Sequence, residues 1–173
     1  MTVDSSNFAG IPFQQTWRDL PLWETLLSTR PIKAIAELGT GQGGMAVFFA
    51  MQAAARGMKF ATFDRQRLFG DDALRMLERL GATYHEVDIF GRADYVRGVL
   101  AALPRPLALF CDNGDKPREF ETFLPELRSG DVIAVHDWNA EIGPQHVPAA
   151  IMMILRDECE KTEHGMTRFF LKP

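Results

Sequence analysis

Five short apolar runs alternate with stretches of helical period, and this alternation leaves very few folds open. The runs cover 32–38, 59–64, 82–88, 107–112 and 132–137. Four of them close on an acid: Asp64, Asp88, Asp112 and Asp137. Between the runs, 43–56, 71–80, 93–103 and 117–127 carry apolar residues at helical spacing, with Gly57 and Gly81 as stops. Strand-helix alternation of this kind makes an α/β protein with a parallel sheet and helices on both faces. Strands that are nearly all apolar have both faces buried. Past Asp137 the pattern loosens into a Gly- and Pro-containing loop at 138–148. A helix is expected from 147 or 149 to about 158. The tail, 160–171, reads as a hairpin turning at His164-Gly165. Residues 1–31 carry Trp17, Trp23 and several leucines and are expected to form a helical extension of one or two helices.

Size and charge narrow the function. A chain of 173 residues is one domain, here an extension at 1–31 and a main body at 32–173. A net charge of −4 gives no broad field for DNA, RNA or anionic lipid, so nucleic acid is an unfavoured partner. Cys111 and Cys159 are too few for a disulfide framework or a Cys-rich zinc site, and the expected location is cytoplasmic. No run of about 18 apolar residues is present, so no membrane span is expected. The aromatics near the start leave a homodimer surface or a lid as alternatives.

The segment Glu37-Leu38-Gly39-Thr40-Gly41-Gln42-Gly43-Gly44 joins the first run to its helix. Glycines there let the main chain turn tightly and let a ligand approach it. The helix start offers free N–H groups to negative groups on that ligand. Gly39, Gly41 and Gly44 fit a dinucleotide fingerprint, and Gly39, Gly41 and Gly43 fit a looser E-x-G-x-G-x-G pattern. In an open parallel sheet the crevice lies beyond the carboxyl ends of the strands, so all four acids should rim it. Like charges make such a rim hostile to a diphosphate. A cationic sulfonium nucleoside suits it better.

Residues 37–44, with Asp112 and the later run 124–137, resemble the class I S-adenosylmethionine (SAM)-dependent methyltransferases, most closely the cephalosporin-hydroxylase/rhamnosyl O-methyltransferase group. The resemblance implies a Rossmann-like three-layer αβα sandwich, whose seven-stranded, mostly parallel sheet ends in a C-terminal antiparallel hairpin. It implies a cofactor cradle of Glu37, Gly39, Thr40, Gly41, Gln42 and Gly43. Asp64 would take the ribose hydroxyls with Arg65 beside it, Asp88 the adenine amine with Ile89 and Phe90 on the ring, and Asp112 would lie near the methyl group. The acceptor would be a small molecule, methylated on oxygen.

Metal-dependent relatives place one acid after the fourth strand and two ligands after the fifth. By resemblance these are Asp112, His136 and Asp137, a set suited to Mg²⁺ or Mn²⁺. His136 stands where an acid is usual. Lys116 would act as general base if a neighbouring cation lowered its pKa. Without a metal, His136 is the better base. Trp138 and His146, in the loop beyond, are candidates for acceptor contact. Two other readings stay open: an NAD-binding oxidoreductase and a non-catalytic SAM-binding subunit.

Overall fold

The structure is a computed structural model and describes residues 6–162 and 165–173. It opens with a hairpin of β1 (Ser6–Phe8) and β2 (Ile11–Phe13), then α1 (Asp19–Thr29). The alternating body follows: β3 (Ala34–Leu38), α2 (Gly44–Arg56), β4 (Lys59–Asp64), α3 (Asp71–Arg79), β5 (Thr83–Glu86), α4 (Ala93–Ala102), β6 (Leu107–Cys111), α5 (Lys116–Phe123) and β7 (Val132–Val135). The chain finishes with β8 (Met152–Ile154), α6 (Arg156–Lys161) and β9 (Arg168–Leu171).

Among the described residues, seven strands form one sheet in the order β5-β4-β3-β6-β7-β9-β8. β3 to β7 run parallel, and β9 is antiparallel to both β7 and β8. The expected three-layer αβα architecture is therefore present. Strand order reverses between β3 and β6, which opens the crevice at their carboxyl ends.

The central strands are apolar throughout because each face is covered. On β3 and β6, Ile35, Ala108 and Phe110 face the layer that holds α1, α2 and α3. Their neighbours Ala34, Ala36, Leu107, Leu109 and Cys111 face the layer of α4 and α5. Trp23 of α1 fills the first layer, with Phe49, Phe110 and Phe169 packed edge-on at ring-centroid distances of 4.6, 5.2 and 4.9 Å. Edge-to-face pairs each contribute about 0.5–1.5 kcal/mol beyond area burial.

Two local expectations are corrected. Residues 6–30 supply a hairpin as well as a helix. Ala9 and Gly10 both adopt positive φ (51° and 82°), the geometry of a tight two-residue turn. Phe8 then packs edge-on against Phe48, with ring centroids 5.6 Å apart. The helix expected up to about 158 is instead a strand, β8, followed by α6. Met152 pairs with Leu171 and Ile154 with Phe169, so the first arm of the terminal hairpin lies earlier than expected. A short run such as Met-Met-Ile-Leu fits helix or strand equally well, and pairing to β9 decides it. The expected turn residue His164 lies outside the described residues.

Candidate functional site

The glycine loop is clamped from two sides. A Cβ on Gly39, whose φ is +99°, would overlap the main chain of Asp112 as it leaves β6. A Cβ on Gly44 would overlap the carbonyl oxygen of Pro12, which seats the N-terminal hairpin on the start of α2. The N–H groups of Gly39 and Thr40 both donate to the carbonyl of Phe63 (2.8 and 3.2 Å). Beneath the loop, the Thr40 and Thr62 hydroxyls lie 2.7 Å apart, and the Thr62 hydroxyl is 2.6 Å from Glu37 Oε2. Glu37 is wholly buried, and burial drives its carboxyl well above the ordinary range. It supports the loop from inside the sheet and does not line the cleft.

Asp64 ends β4 and faces the loop. Its Oδ2 accepts the Gly41 N–H at 2.9 Å and its Oδ1 the Gln66 N–H at 3.4 Å. A cavity of about 290 Å³ opens here, lined by Gly39, Gly41, Asp64, Arg65, Gln66 and Asp112 among others. Gln42 is exposed, and its N–H donates to Gln14 Oε1 at 3.1 Å. Asp88, Ile89 and Phe90 lie outside the cavity. The exposed Asp88 carboxylate accepts the N–H groups of Gly91 and Phe90, which hold it below the usual range. Ile89 is buried in the apolar layer, and Phe90 carries the Arg118 guanidinium 4.0 Å above its ring.

A second cavity of about 330 Å³ adjoins the first, and Gly39, Asp112 and Asn113 line both. Here the strand ends deliver a charged centre. Lys116 opens α5, where Asp115 caps the helix by accepting the Arg118 N–H at 3.2 Å. The buried Lys116 ammonium lies 2.6 Å from Asp137 Oδ2, 3.2 Å from Glu141 Oε2 and 3.4 Å from Asp112 Oδ1. His136 Nδ1 lies 3.2 Å from Asp137 Oδ1 and 3.4 Å from Asp112 Oδ1. On the other side of the ring, Nε2 lies 3.8 Å from Asp19 Oδ2. Asp137 holds this position in the left-handed region, at φ 54°, a conformation few non-glycine residues adopt.

The charges here do not balance. The carboxylates of Asp19, Asp112, Asp137 and Glu141 surround one ammonium and one imidazole. Burial alone would lower the pKa of His136, but Asp112, Asp137 and Asp19 push it up to about 12. Lys116 follows the same pattern: burial opposes its charge, and Asp112 and Asp137 raise it well above its ordinary value. The sequence reading required a lowered lysine pKa for a base, so the centre as it stands holds this residue as a cation instead. Asp137 is held far below the carboxylate range, first by the hydrogen bond from His136. Asp112, His136 and Asp137 each offer one donor atom, and these atoms lie within 4.8 Å of one another. Two oxygens and a nitrogen in a centre short of positive charge suit a divalent cation.

Several members of the site were not foreseen. Gln15 Nε2 donates to Asp112 Oδ2. Glu119, fully buried, accepts the N–H groups of Asn113 and Asp115, both at 3.1 Å, and fixes the loop that carries Asp112. Burial pushes its carboxyl up to about 8. Thr16 and Asp19 stand three apart before a helical run, a helix-start spacing that was the one available signal for that pair. Trp138 packs tilted against Phe170 at 5.5 Å, and His146 Nδ1 accepts the Gly143 N–H at 3.1 Å. Neither lines the two cavities.

No helix among the described residues is long and apolar enough to cross a membrane. No family model matches the sequence. No curated protein matches it either. Solved structures do. CmcI with SAH aligns at a TM-score of 0.70 and 15% identity, covering 97% of this chain and 84% of that one. CmcI with Mg and SAM aligns at 0.64 and 16% identity, covering 79% of this chain and 59% of that one. The O-methyltransferase TomG from Streptomyces achromogenes, involved in tomaymycin synthesis and solved with SAM, aligns at 0.58 and 19% identity, covering 91% and 81%. Likeness at this level of identity speaks for architecture alone: the chain shares the Rossmann-like αβα fold of CmcI and TomG.

Proposed function

We propose that the chain is a SAM-dependent O-methyltransferase for a small-molecule acceptor, assisted by a divalent cation. One observation carries this reading: the cavity beside the glycine loop and Asp64 shares the wall of Gly39, Asp112 and Asn113 with the cavity that holds the charged centre. A nucleoside in the first would bring its reactive end to an acceptor in the second. SAM supplies a methyl group on a sulfonium: the acceptor oxygen would attack that carbon in line, the carbon–sulfur bond would break to release S-adenosylhomocysteine (SAH), and the acceptor's proton would pass to water.

The residues of this chain would divide the work. The Asp64 carboxylate takes ribose hydroxyls, and the loop main chain at Gly39–Gly41 takes the amino-acid part. Asp112, which lines both cavities, would lie near the sulfonium and favour its positive charge. Asp112, His136 and Asp137 would hold Mg²⁺ or Mn²⁺, whose Lewis acidity would lower the pKa of an acceptor hydroxyl. Lys116 neutralises part of the carboxylate charge and fixes Asp112 against Asp137. Alignment of nucleophile, carbon and sulfur is the protein's main contribution to rate. CmcI, of the same fold, has been solved with Mg and SAM, and TomG with SAM, which supports both assignments. The dinucleotide alternative is disfavoured because Asp64 and Asp112 both line the cavity beside the loop, where a diphosphate would meet two carboxylates.

Calorimetry with SAH tests the reading. Saturable binding is expected, and an acceptor screen read by SAH release should then identify substrates. Absence of any binding heat at millimolar SAH would end it.

A further inference from the structure

We propose that Asp19 is a positioning residue for the cation site, fixing the His136 ring so that Nδ1 is presented between Asp112 and Asp137. The inference rests on the cation reading above and extends it to a segment far from the strand ends. Asp19 opens α1 and is fully buried. Its Oδ2 accepts the Thr16 hydroxyl at 2.6 Å, and its Oδ1 accepts the Thr167 N–H at 3.0 Å. Both oxygens are therefore fixed, one from the approach to α1 and one from the approach to β9.

The imidazole lies between this carboxylate and the charged centre. Nε2 is buried and has no hydrogen-bond partner among the described residues. The nearest acid to it is Asp19, whose Oδ2 is 3.8 Å away. Nδ1 faces the opposite way, toward Asp112 and Asp137. A carboxylate behind a ligating imidazole draws the ring proton to its own side and leaves the lone pair on the other nitrogen for the cation. Asp19 occupies that place, so a cation at Nδ1 would displace the proton there and leave the remaining ring proton on Nε2, beside Asp19. The same segment also reaches Asp112, which accepts a hydrogen bond from Gln15 Nε2. Residues 15–19 thus form an outer wall behind two of the three ligands.

The test is Mn²⁺ binding to the full chain, read by electron paramagnetic resonance, with SAH calorimetry in parallel. Asp19→Asn keeps the size and a hydrogen-bond acceptor but removes the charge. It should weaken Mn²⁺ binding by about 10–100-fold, the usual effect of losing an outer-shell partner, and leave SAH affinity unchanged. Should Asp19→Asn not fold, Thr16→Val decides: it frees Asp19 Oδ2 from its hydroxyl and should weaken Mn²⁺ by several-fold, with SAH unaffected. Unchanged Mn²⁺ affinity in the folded variant would overturn the role of Asp19 and leave the cation reading standing. Parallel losses of Mn²⁺ and SAH affinity would mark a merely structural residue and overturn it as well. A wild-type chain that binds SAH but no Mn²⁺ would overturn the cation reading and this inference together.

Discussion

The two ends of β7 each carry a buried or half-buried aspartate, and the two are held in opposite ways. At the amino end, Asp131 accepts the N–H groups of Leu107 and Arg128, both at 2.7 Å, and pairs with the Arg105 guanidinium. Two of these partners are main-chain groups that cannot move away or titrate. At the carboxyl end, Asp137 is held by His136 and Lys116, two side chains with their own protons and rotamers, on a backbone at positive φ. A carboxylate bound to fixed donors is a clasp. One bound to exchangeable cations can trade them for a ligand. The same residue type therefore serves as a fixed clasp at one end of the strand and, on the reading proposed above, as a cation ligand at the other.

The comparison is easiest to break at the clasp. Asp131→Ala would strand two main-chain donors and a half-buried guanidinium, a loss of about 3–5 kcal/mol. At about 2–4 °C per kcal/mol for a domain of this size, differential scanning calorimetry should show a fall near 10 °C. SAH affinity of the folded fraction should not change. A small thermal shift with weakened SAH binding would reverse the assignment of the two ends.

The cavity beside Asp64 comes next. Asp64→Ala removes the group assigned to the ribose hydroxyls, and hydrogen bonds to charged groups contribute about 1.5–3 kcal/mol. SAH binding should weaken by about 10- to 100-fold. A variant that binds SAH like the wild type would move the nucleoside away from Asp64.

What could be read from the sequence, and what could not, follows the same division between local and distant. The glycine loop, Asp64 and the strand-end acids were legible because each lies at a junction between two periods, and the parallel topology then places all such junctions on one rim. Asp88 satisfied the same rule yet caps its own turn, because a strand-end acid is also a favoured turn residue. Gln15 and Asp19 were not legible as site residues. Their partners are remote in sequence, 97 positions away for Gln15 and Asp112, and no periodicity encodes such a meeting. Glu119 was hidden for a different reason: an acid in the first turn of a helix looks like a solvated residue until burial is known. β8 was missed because a three-residue strand carries too little pattern to outweigh its helical reading.

The smallest change per step is a pH slope, and it concerns that buried glutamate. Its carboxyl is raised from an ordinary 4.5 to about 8, with burial the chief cause. The folded state thus holds a proton that the unfolded chain releases, so the Glu119 contribution to stability is complete below about 4.5 and is lost as pH rises toward 8. Glu119→Gln cannot titrate. Relative to the wild type it should gain at most about 1.4 kcal/mol per pH unit within that window, read as the difference between two melting-temperature profiles. Parallel profiles would place Glu119 in a wetter setting than the fold describes.

Gly39 meets the main chain of Asp112 so closely that not even a methyl group fits between them. The ends of β3 and β6 therefore touch main chain to main chain, and any side chain at position 39 would have to push those two strand ends apart.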